Sequence, residues 1–158
     1  MTDLRTAGLD EWVKHHAEFS ARVFNDLGSL TAMWVAQTKD GMIMPIMAPL
    51  ADKDQILMAI KMLFREKQVI RYVFMTEAWI LESKTKEIPE SIKRGAAVSS
   101  HPDRREIIMV TAEDRDGTQL MGHMYILRPE HGKPTVSPFK LLDGFANEGR
   151  FAKLLEQS

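Results

Sequence analysis

The chain contains no cysteine. Disulfides, thiolate nucleophiles and cysteine-ligated zinc or iron–sulfur centres are therefore excluded together. Long apolar runs are also missing. No segment approaches the roughly 18 uninterrupted apolar residues of a bilayer span, so no membrane partner is expected. Met1 to Asp10 holds no apolar stretch, which argues against a secretory leader. With the lack of cysteine, this fits a cytoplasmic protein. Charge of one sign is lacking too: 21 Lys and Arg against 22 Asp and Glu leave a net charge of −1. No global field draws the chain to nucleic acid or to an anionic membrane. There is no glycine-rich phosphate loop, no dinucleotide fingerprint, no nucleophile elbow and no internal repeat.

What is present is an ordinary globular composition. The 158 residues are 44% hydrophobic and 27% charged, which predicts one domain over residues 1–158 rather than a disordered chain. At this length a core forms without a metal, and no cofactor is implied.

The hydrophobic period changes along the chain in an informative order. Asp10 reads as a helix N-cap, and Trp12, Val13, His16, Ala17, Phe19, Val23, Phe24 and Leu27 fall on one face of the helix that follows, up to Gly28. Leu30 to Thr38 is apolar on both faces and reads as an interior strand. Asp40-Gly41 is a hairpin turn. The return strand, Met42 to Met47, contains Pro45 and is expected at an edge. Asp52 with Gln55 resembles a capping box for a helix carrying Ile56, Ala59, Ile60, Leu63 and Phe64. Val69 to Leu81 is a long strand. Glu106 to Ala112 and Gln119 to Arg128 form a hairpin around Asp116-Gly117, and Asn147 to Gln157 reads as a short closing helix.

These elements predict an α+β fold, a three-layer α–β–α sandwich with a five-stranded antiparallel sheet in the order 2-1-5-4-3. The element order resembles that of the roadblock/profilin-like group. The resemblance is one of topology, and no functional residue follows from it. Residues 83–105 form a polar insertion between the third and fourth strands, longer than such a connection needs.

The densest cluster of functional groups is His101-Pro102-Asp103-Arg104-Arg105-Glu106. His101, Arg104 and Arg105 suggest an anion clamp, because guanidinium groups grip oxyanions in a bidentate way. The plainer reading is a charged loop whose acids pair its arginines. Asp103 and the Glu113-Asp114 pair lie at opposite ends of one strand, roughly 20–25 Å apart at about 3.3 Å per residue, too far to share a Mg²⁺. No two histidines have the spacing of a helical metal site. Glu77, between Met75 and Trp79, is a candidate buried carboxylate within reach of His123; the alternative is a charge that guards a strand edge. The insertion has a small excess of positive charge but no aromatic residue for stacking, which makes nucleic acid an unfavoured partner, bound weakly if at all.

Methionine is abundant, with 11 residues. Met42, Met44, Met47, Met58 and Met62 crowd the first hairpin and the central helix, where they either fill a core or form an adaptable contact surface. No catalytic constellation is assembled by the sequence. The expectation is a non-enzymatic interaction module, self-associating as a homodimer. A small enzyme or anion-binding protein using the arginine cluster is the main alternative.

Overall fold

The computed structural model describes residues 5–49, 52–81, 104–142 and 154–155. Among the described residues there are two helices and seven strands: α1 (Leu9–Leu27), β1 (Met33–Thr38), β2 (Ile43–Met47), α2 (Lys53–Glu66), β3 (Val69–Leu81), β4 (Arg104–Asp114), β5 (Gln119–Leu127), β6 (Thr135–Val136) and β7 (Lys140–Leu142). The fold is α+β with an antiparallel sheet.

The local signals act largely as read. All six residues of β1 are buried, as a strand apolar on both faces must be. Odd-numbered Met33 and Val35 face α1 with Val73, Met75, Ile108, Val110 and Met124. Even-numbered Trp34 and Ala36 face α2 with Tyr72 and Phe74. One helix therefore covers each side of the sheet. The Asp52 side chain accepts a hydrogen bond from Gln55 N at 3.2 Å and caps α2. At α1 the cap is Gly8 rather than Asp10, which lies inside the first turn, where its charge suits the helix dipole. Gly28 ends α1 at φ 77°, in the left-handed region that glycine enters without strain.

The strand order departs from expectation. The sheet runs β2-β1-β3-β4-β5, with β6 and β7 both pairing the outer side of β5. Among the described residues it is thus seven-stranded, not five-stranded, and its order is not the expected 2-1-5-4-3. The reason is that α2 carries the chain over one strand only, from β2 across β1 to β3, instead of to the far edge. Connection length does not separate these routes. Burial does, because Val69, Tyr72, Val73, Phe74 and Met75 are buried as an interior strand requires. The expected edge position of β2 holds among the described residues.

β3 outruns β1. Its register with β1 stops at Met33↔Met75, while its register with β4 continues to Leu81↔Arg104. Arg104 and Arg105 therefore belong to β4, not to a loop. The remainder of the 83–105 insertion, including His101, lies outside the described residues, as does the expected closing helix apart from Leu154 and Leu155, which form a turn.

Candidate functional site

The protruding ends of β3, β4 and β5 bring several polar and aromatic groups together. Strand alternation sorts them by face. Glu77 and Trp79 point to the α1 side of the sheet, together with Glu106, which is paired with Trp79 across the strands. A groove of about 470 Å³ is lined by Trp79, Arg104, Arg105, Glu106, Ile126 and Arg128. A narrower extension of about 100 Å³ is lined by Glu77, Ala78, Trp79, Glu106 and Ile126.

Arg104 places its guanidinium 4.7 Å from the centroid of the Trp79 ring. Arg128 donates from Nε to Glu106 Oε2 at 2.5 Å and from Nη2 to Oε1 at 3.4 Å, a two-pronged grip. The hydrogen bond to Glu106, with the charges of Glu106 and Glu77, raises the Arg128 pKa above its ordinary value. Exposure of the pair limits what it adds to stability.

The sequence-level clamp is divided by this geometry. Adjacent residues of a strand face opposite ways, so Arg105 sits on the α2 side, its guanidinium 3.8 Å from the Tyr125 centroid. Glu77 is exposed rather than buried, and its Oε2 accepts a hydrogen bond from Leu30 N at 3.0 Å. It does not meet His123, because His123 lies on the α2 face and packs edge-on against Tyr125, with centroids 4.8 Å apart. Trp79 and Ile126 were not singled out from the sequence, and Arg128 only as part of a basic surface that a nucleic-acid binder would need. They become neighbours only through register, and two strands must be aligned before that signal exists.

Two further polar clusters fasten chain ends. On the α1 side, buried Arg71 donates from Nε to Gln37 Oε1 at 2.8 Å and from Nη1 to Ala7 O at 2.6 Å. Its guanidinium lies 4.7 Å from the Trp12 ring, and Gln37 Nε2 donates to Arg5 O at 3.1 Å. His16 packs edge-on to Trp12. Burial, then the neighbouring His15 and Arg71, lower its pKa to about 4. On the α2 side, Leu154 N donates to Tyr72 Oη at 3.2 Å, and Leu155 N donates to Glu113 Oε1 at 2.8 Å. Burial and the Glu113 charge push the Tyr72 phenol upward. Both clusters join residues far apart in sequence, and in the first the buried Trp12 Nε1 and His16 Nε2 have no hydrogen-bond partner among the described residues.

The methionines separate as well. Met44 packs against the core between the sheet and α2. Met42 and Met47 are exposed near the edge strand, and Met58 and Met62 are exposed on α2. Among the described residues no three His, Asp or Glu side chains converge on a metal position, and no helix is long and apolar enough to cross a membrane. Compared with models of protein families, with curated proteins and with solved structures, the chain shows no significant match.

Proposed function

We propose that this chain is a non-catalytic interaction module that self-associates as a two-fold dimer through α2. The observation that carries the proposal is the outer face of that helix. Met58 is 66% exposed and Met62 65%, one turn apart on the side away from Ile60 and Phe64. Two large apolar side chains stacked on the solvent side of an amphipathic helix are unneeded for its own core. Methionine suits a surface that closes against a copy of itself.

Charge placement favours a second copy as the occupant. Asp54 and Arg65 flank the methionine stripe on one side, about three turns apart. In an antiparallel pair with its axis near Ile60, Met58 of one copy meets Met62 of the other, and Arg65 meets Asp54, each contact occurring twice. Lys61 lies farther round towards the sheet. Such self-complementarity is what an isologous interface requires. A helix pair of this length buries an area at the low end for specific contacts, below roughly 1,200 Å², so the dimer is expected to be weak and concentration-dependent.

The sheet edge is the less suitable route. Thr38 N donates to Met42 O, and Ala48 N donates to Ala32 O, so even-numbered residues of the β2 segment address β1. Ile43, Pro45 and Met47 address the outer edge, and Pro45 has no N–H to give at its centre. A strand from another copy would find the ladder interrupted.

The charge pattern supplies the test. Asp54→Lys and Arg65→Glu should each weaken association measured by sedimentation, and the double variant should restore it. Single changes without effect, or a double variant no better than either single one, would refute the α2 pairing.

A further inference from the structure

The groove at the protruding strand ends is independent of the α2 surface. Trp79 is 40% exposed there, whereas Trp12 and Trp34 are fully buried. The sheet thus presents one indole to a groove instead of to its core. Arg104 brings its guanidinium carbon to 4.7 Å from the centroid of that indole, a cation–π contact that sets a positive charge beside the exposed ring. Opposite it, Arg128 is oriented by Glu106 through Nε and Nη2, and its remaining N–H donors are not used by that pair. Past Trp79 the narrow extension ends at Glu77, whose carboxylate is positioned by the Leu30 N–H.

We infer that this groove binds a planar aromatic anion of the size and chemistry of a nucleoside monophosphate. The ring stacks against the Trp79–Arg104 surface. The anionic group takes charge-assisted hydrogen bonds from Arg104 and Arg128. Glu77 accepts from an amino or hydroxyl donor that enters the extension. The volume of about 470 Å³ falls within the range of small-molecule sites. Glu106 offsets part of the positive charge, so the site selects a ligand that offers a stacking ring as well as an anion.

Tryptophan fluorescence reads this site directly, because Trp79 alone of the three indoles is exposed. Titration with adenosine 5′-monophosphate should quench the iodide-accessible emission and saturate. Adenosine and inorganic phosphate, each offering half of the chemistry, should bind at least about tenfold more weakly, the scale of losing one charge-assisted contact or one stack. Arg128→Gln and Arg104→Gln should each weaken the nucleotide about tenfold, with the urea midpoint unchanged because both lie at the exposed strand ends. Trp79→Phe should remove the fluorescence change while calorimetry still detects weakened binding. No saturable quenching at millimolar nucleotide, or the same quenching in Trp79→Phe, would overturn the inference. Phosphate bound as tightly as the nucleotide would show an adventitious ion only, and would overturn it equally. Because none of these variants touches α2, failure here leaves the dimer proposal standing.

Discussion

At Gly122 the missing side chain is what lets β7 close on β5. A Cβ there would lie 2.4 Å from Phe139 Cε2 and 2.7 Å from Lys140 O, and the second of these is backbone that cannot swing aside. Gly122→Ala should therefore cost about 1–3 kcal/mol by overpacking, seen as a lower urea midpoint. His16 makes a different kind of contribution. Its pKa falls from 6.5 to about 4 on folding. The unfolded chain then binds more protons between those values, so stability is full above pH 6.5 and declines as pH drops towards 4. The loss should be on the order of 2–3 kcal/mol. The difference between wild type and His16→Gln, followed by urea denaturation across that window, isolates it from the carboxylates. A difference that does not change with pH would mean that His16 titrates normally.

At the scale of elements, the sequence disclosed what depends on neighbours along the chain. The interior character of β1, the α2 cap at Asp52 and the edge position of β2 all follow from period, capping residue or proline, and all are present. What depends on which strands meet was hidden. The route of α2 over a single strand, the pairing of β6 and β7 with β5, and the meeting of Trp79 with Arg104 and Arg128 are properties of register. The cluster at Arg104–Arg105 was visible as charge, but its division between two faces required knowing that β4 begins at Arg104. Pro45 gives this scale its own prediction. Replacing it with Thr returns an N–H to the outer edge of β2, and static light scattering should show increased association or aggregation. Unchanged scattering would mean that the edge is protected by something other than the proline.

As a whole molecule, the protein consists of two apolar layers separated by the sheet, with its ends tied to it by polar contacts. Trp34 is fully buried in the layer under α2, against Phe74 at a centroid distance of 4.7 Å. Trp34→Ala should cost about 3–5 kcal/mol in chemical denaturation, and a loss under about 1 kcal/mol would contradict its place in the core. Helix α2 thus has one face committed to this layer and the opposite face, at Met58 and Met62, presented outward. That two-sidedness is the basis of the functional account. Its most direct test is sedimentation equilibrium of the wild type beside a Met58→Asp, Met62→Asp double variant. The account predicts a concentration-dependent dimer for the wild type and a folded monomer for the variant. A wild type that stays monomeric at roughly 100 μM, where an interface of about −5.5 kcal/mol is half occupied, or a dimer that survives both substitutions, would contradict it.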